Sequence, residues 1–218
     1  MTVGYIFGCS AQGRVALDIL RLQYPDTQWL FVDDNPALHH QVINGAEVIG
    51  GLAELAERPQ PQVHIALGKP SVKRFIAGRC RDLKIGFISA IHPSAVIAPT
   101  AVMGQGVSIG AGAVINTDAR IGDFVLVNTG AIVEHDTVVG ACANISPGAC
   151  LGGRVTIGRE AFIGSGAIVR ARAKIGAGAV VGMGAIVTRD LPAGTLSYGI
   201  PARVIRNIDD DFDWKNVL

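Results

Sequence analysis

From Thr2 to about Phe87 the apolar positions switch between two periods. TVGYIFG, TQWLFVDD and QVHIALG are short β-rich runs that end in glycine or carboxylate. AQGRVALDILRLQ, the stretch around Leu52 to Glu57, and PSVKRFIAGRCRDL instead space their apolar residues for a helix. This alternation predicts a Rossmann-like βαβαβ domain over 1–89: a small parallel sheet that binds its ligand beyond the carboxyl ends of its strands. From Ala90 the period becomes six, as AIHPSA VIAPTA VMGQGV and onward to IVTRDL, with no residue inserted or skipped. The second position of every unit is Ile, Val, Leu or Met from Ile91 to Val187, and the sixth is mostly alanine. Such a repeat predicts a parallel β-helix over 90–218. Short strands point one aliphatic and one small side chain inward, with Gly, Asn, Asp and Pro at the corners. One coil cannot bury its own apolar row, so stacking forms the core, at roughly 1.5–3 kcal/mol per buried aliphatic side chain. The tail after Leu191, with PARVIRNI and the acidic DDDFDW, is expected to cover or flank the upper coil, whose strand edge would otherwise be open.

Composition narrows the function. A net charge of +1 without a long basic run argues against a nucleic-acid surface. The apolar segment from Ala95 to Ile115 is broken by Pro99 and four glycines, which argues against a membrane span. The amino-terminal MTVGYIFGCSAQGR lacks the positive region of a signal peptide, and a cytoplasmic location is expected. Cys9, Cys80, Cys142 and Cys150 form no CxxC pair, and within the repeat only His92 and His135 occur, not a whole number of coils apart. Reduced thiols and no metal are expected.

In NTGAIVEHDTVVG three polar residues, Glu134, His135 and Asp136, sit side by side without interrupting the repeat, because Val127, Val133 and Val139 keep the inward row unbroken. His135 falls at a corner just past the inward Val133, so it points away from the core. Imidazole, with an unperturbed pKa near ~6.5, suits proton removal at neutral pH, and a carboxylate partner would fix its tautomer. Asp136 and Glu134 both compete for that role, because neighbours in an extended strand face opposite ways and only a corner lets them meet. Asn128, one hexad earlier, is a candidate to orient substrate. In the first domain GCSAQG is an incomplete dinucleotide fingerprint, weak evidence for a nicotinamide cofactor but suited to phosphate at a helix amino terminus through Gly8, Ser10 and Gly13. Gln12 lies in the same loop, Asp33 is placed for a ribose or base, Asp34 follows it, and Lys69 is a candidate phosphate contact.

GCSAQG, FVDD, IALG, IHPSAVIAP, NTGAIVEHD, SPGACLGG and GIPARVI together resemble the PglD/NeuD family of bacterial sugar acyltransferases over essentially the whole chain. The resemblance implies a left-handed β-helix and a homotrimer with acetyl-CoA in grooves between subunits. It also implies a nucleotide-linked amino sugar in the first domain, N-acetylated by direct attack on the thioester. The family's base falls on His135 and its acidic neighbour on Asp136. O-acetylation of a sialic-acid-like sugar, and a noncatalytic scaffold, are the alternatives. Where some relatives carry a second histidine near the acyl carbonyl, this chain has Asn144. Gly153, Ser165 and Met183 fall where relatives line the pantetheine groove, and Arg203 where a basic residue approaches CoA phosphate. Covalent catalysis by Cys142 or Cys150 is disfavoured, since neither has a fixed relation to His135.

Overall fold

The computed structural model describes residues 2–209, 212 and 214. The chain forms two compact units, Met1–Pro93 and Ser94–Leu218.

In the first unit β1 (Thr2–Phe7), α1 (Ala11–Gln23), β2 (Thr27–Val32), β3 (Val42–Ile43), β4 (Ala46–Glu47), α2 (Leu52–Ala56), β5 (Gln62–Ile65), α3 (Pro70–Asp82), β6 (Gly86–Phe87) and β7 (Ala90–Ile91) follow in order. The sheet is parallel, in the order β2-β1-β5-β6. α1 turns Ala16, Leu17, Ile19 and Leu20 onto Ile6, Trp29 and Phe31, as its helical spacing predicts. The unit extends past the expected 89/90 boundary for a local reason. Ala90 is fully buried in this core, and the Ile91 N–H donates to Gln23 Oε1 at 2.9 Å. The pattern of three strands omitted β6 and the β3–β4 hairpin. Asn44 and Gly45 form that hairpin's turn at φ 47° and 76°, the Asn-Gly pairing suited to a tight two-residue turn.

The second unit is a parallel β-helix with three walls. The first wall carries Ser108–Ile109, Leu126–Val127, Asn144–Ile145, Phe162–Ile163 and Val180–Val181. The second runs from Val96–Ile97 through Ile132–Val133 and Cys150–Leu151 to Ile186–Val187, and the third from Val102–Met103 through Val138–Val139 to Lys174–Ile175. Each strand pairs with the one 18 residues further on, as Val127 with Ile145, so three hexads make one coil. From Ile109 to Val187 every second-position side chain is at most 3% exposed, and the sixth positions between them are equally buried. The fifth position sets the corner: from Gly106 to Gly184 every sixth residue has φ between 57° and 67°. Half of these are not glycine but Asp118, Phe124, Asp136, Cys142, Arg154, Glu160 and Arg172. The stacked backbone therefore imposes a left-handed turn even where the residue disfavours it.

The tail does cover the upper coils. Thr195–Gly199 lies parallel to Val180–Val181 and turns back antiparallel into Ala202–Asn207. Phe212 and Trp214 then pack on Phe162 and Val180 of the first wall. Asp210, Asp211 and Asp213 of the acidic tail lie outside the described residues. Among the described residues no helix is long and apolar enough to cross a membrane.

Candidate active site

The corner after Ile132–Val133, between the second and third walls, brings the polar trio together. Asp136 takes the left-handed fifth position at φ 57°, which breaks the alternation of an extended strand and swings its carboxylate beside its neighbour's ring. His135 Nδ1 lies 2.9 Å from Asp136 Oδ2. Glu134 Oε2 instead accepts from the His135 backbone N–H at 3.3 Å and does not reach the ring. Asp136 is therefore the carboxylate on the imidazole. A carboxylate only accepts, so Nδ1 carries a proton, and in the neutral ring the lone pair is on Nε2. The hydrogen bond from His135 holds the Asp136 carboxyl below the usual carboxylate range against the opposing cost of burial, with a lesser contribution from the charge of Arg154.

One coil higher, 18 residues on, stand Gly153 and Arg154. The Arg154 N–H donates to the His135 carbonyl at 2.9 Å, and its Nε lies 3.4 Å from Asp136 Oδ2. The imidazole rests against Gly153, where a Cβ would sit 2.5 Å from Nε2. Gly153, expected in the pantetheine groove, thus clears space for the His135 ring. Its own repeat spacing from His135 carried that signal, as did the spacing of Arg154, which was not among the expected residues.

The other expected residues lie elsewhere. Asn128, Ser165 and Met183 follow first-wall strands and occupy the edge between the first and second walls, one edge away from His135. Asn128 Oδ1 accepts from the Thr129 N–H at 2.8 Å, the local turn contact of a corner asparagine. Ser165 and Met183 line an open groove of about 630 Å³ with Phe162, Val180, Leu196, Tyr198, Arg206 and Phe212. Its walls are mainly apolar with a guanidinium at the side, which suits a pantetheine arm or an aromatic base carrying phosphate. Arg203 is exposed and donates to the Ala202 carbonyl, whereas Arg206 faces the groove and stacks over Phe212 at 5.2 Å. Asn144 is 1% exposed within the first wall, so it does not sit at the His135 corner. Cys142 is buried and Cys150 half-buried.

In the first unit the carboxyl ends of β1, β2 and β5 gather Gly8, Asp33 and Lys69 around the amino termini of α1 and α3. Gly13 packs α1 tightly on the loop, since a Cβ there would strike the Gly8 carbonyl. Asp33 Oδ2 lies 3.4 Å from both the Cys9 N–H and its thiol, which burial and this carboxylate push up to about 11. Asp34 is committed internally, accepting from the Leu52 N–H at 3.0 Å and pairing with Arg79 at 2.6 Å. Ser10 is the exposed N-cap of α1 with no side-chain cap bond, Gln12 is half-buried beside it, and Lys69 is the N-cap of α3. Among the described residues no cluster of three or more His, Cys, Asp or Glu is placed to hold a metal ion.

Residues 5–80 match the PglD N-terminal domain, and residues 154–189 match the bacterial transferase hexapeptide of six repeats. No curated protein matches the chain. Among solved structures, PerB from Caulobacter crescentus, in complex with CoA and GDP-perosamine, is 35% identical over 94% of this chain and 97% of its own, with a TM-score of 0.87. The acetyltransferase domain of PglB from Neisseria gonorrhoeae is 32% identical over 94% of this chain and 100% of its own, at 0.88. WeeI from Acinetobacter baumannii is 28% identical over the same shares, also at 0.88.

Proposed function

This chain belongs to the PglD/NeuD family of bacterial sugar acyltransferases with a left-handed β-helix, and from that premise we propose that it N-acetylates a nucleotide-linked amino sugar with acetyl-CoA. The observation that carries this reading is the His135–Asp136 pair at an exposed corner, whose 2.9 Å contact fixes a proton on Nδ1 and so makes Nε2 the basic nitrogen of the neutral ring. The sugar amine attacks the thioester carbonyl while Nε2 takes the proton that the nitrogen sheds as it becomes tetrahedral. Collapse of the intermediate expels the CoA thiolate, which recovers that proton from the imidazolium, so the enzyme ends as it began. No covalent acyl-enzyme is needed, and the buried Cys142 fits that.

The acceptor's nucleotide is assigned to the strand-end loops of the first unit, where the α1 amino terminus and Lys69 suit phosphate and Asp33 suits a ribose or base. GDP-perosamine bound to PerB, and its enzyme's naming as an N-acetyltransferase, favour an amine over a hydroxyl. That relative has also been solved with one histidine replaced by alanine or asparagine, in keeping with a histidine at the centre of the chemistry. The positions of the two edges support a trimeric assembly. The His135 edge and the edge bearing Asn128, Ser165 and Met183 cannot meet within one β-helix. In the homotrimer we propose, the axes run parallel and His135 of one subunit faces the groove of the next. The test is incubation with acetyl-CoA and UDP-, GDP-, dTDP- and CMP-linked amino sugars, GDP-perosamine included, following free thiol. Thiol release with an amino sugar, and none with its hydroxyl counterpart, is expected. No release with any acceptor, together with no calorimetric binding of acetyl-CoA, would instead leave a noncatalytic scaffold.

A further inference from the structure

The His135–Asp136 pair is exposed, with side chains 50% and 44% accessible, and water competes for a carboxylate so placed. Pairs this open are weak singly, so one contact does not by itself hold Oδ2 on Nδ1. A second donor converges on the same oxygen. Arg154 Nε lies 3.4 Å from Asp136 Oδ2, and the Arg154 backbone is tied by its N–H to the His135 carbonyl at 2.9 Å. Both residues hold the left-handed corner conformation, at φ 57° and 62°, so the repeat stacks the guanidinium over the carboxylate one coil below. Glu134, the other carboxylate of the trio, is turned to the His135 backbone N–H, and Asp118 holds the same corner position one coil below Asp136.

We propose that Arg154 is a positioning residue for acetyl transfer: it fixes the Asp136 carboxylate, and through it the tautomer and orientation of His135. The proposal rests on the reading of His135 as base. Arginine suits the task because its charge persists across the working pH range and its planar fork loses little freedom per bond formed.

A double-mutant cycle decides it. Arg154→Met is expected to lower kcat roughly 2- to 5-fold, with KM for acetyl-CoA and for the amino sugar little changed, and Arg154→Lys to recover part of the loss. In an Asp136→Asn background, Arg154→Met is expected to change kcat no further. With histidine-¹⁵N-labelled protein, the Nδ1 signal of His135, identified by its loss in His135→Ala, moves in Arg154→Met and moves no further in the double variant. Additive losses, an unchanged kcat, or an Nδ1 signal indifferent to Arg154 overturn the proposal. So does a raised KM for acetyl-CoA at constant kcat, which would make Arg154 a phosphate ligand. If His135→Ala keeps full turnover, the base assignment fails, and the ¹⁵N signal still reports whether Arg154 acts through Asp136.

Discussion

Gly153→Ala separates catalysis from stability. A Cβ at 153 would stand 2.5 Å from His135 Nε2, 2.8 Å from Cε1 and 3.1 Å from Cδ2. Comfortable heavy-atom contact begins near ~3.5 Å, so the ring must retreat by about 1 Å. The obstacle is the end of a half-exposed side chain, not backbone, and Gly153 is not among the left-handed glycines, so the fold accommodates the methyl at about 0.5 kcal/mol or less. The retreat carries Nε2 off its line to the acceptor and stretches the 2.9 Å bond to Asp136. A displacement of that size costs on the order of 10²-fold in turnover. Thiol-release kinetics on Gly153→Ala, beside thermal unfolding and sedimentation, measure both quantities. A melting temperature and assembly like wild type with kcat down about 100-fold is the expected result. Full turnover in a variant shown to keep the methyl would refute the account of the corner, because the ring could then work from a position the structure does not allow.

Other outcomes follow from the same geometry. Burial of His64 pulls its pKa down to about 4 from 6.5, outweighing the bond to the Ile88 carbonyl. The unfolded chain binds that proton first, so stability is intact above pH 6.5 and falls through the window down to pH 4, by about 3 kcal/mol in all. Denaturant titrations of wild type against His64→Gln between pH 7 and pH 4 check it, and the variant should show a shallower fall. Gly130→Ala, at φ 64° with open space around the new methyl, should cost about 1 kcal/mol from backbone strain alone. Cys150→Ala should leave kcat within about twofold, because a base-assisted direct attack forms no acyl-enzyme bond to sulfur.

Much of this molecule was legible in order of how local its causes are. The inward row from Ile91 to Val187 and the alanines at position six named the β-helix because stacking repeats one pattern in place. The fifth-position turn was half-visible: glycine marks it at 106, 112, 130, 148, 166, 178 and 184, but Phe124, Cys142 and Arg172 adopt it only because neighbouring coils impose it. That hidden conformation is also what chose Asp136 over Glu134, a choice strand alternation leaves open. Arg154 and Gly153 were overlooked as neighbours of His135 because contact at a distance of one coil shows only when the 18-residue period is applied to polar residues too. The Arg206 groove contact depends on how the tail hairpin folds back, including its register shift after Leu196, which no repeat encodes.

The central claim is that His135 removes the proton from an acceptor attacking acetyl-CoA. The most direct test is turnover of His135→Ala, measured by thiol release with the best acceptor of the nucleotide-sugar panel and with assembly checked by sedimentation. The account predicts a loss of roughly 10²- to 10⁴-fold with assembly unchanged, and turnover near that of wild type would contradict it.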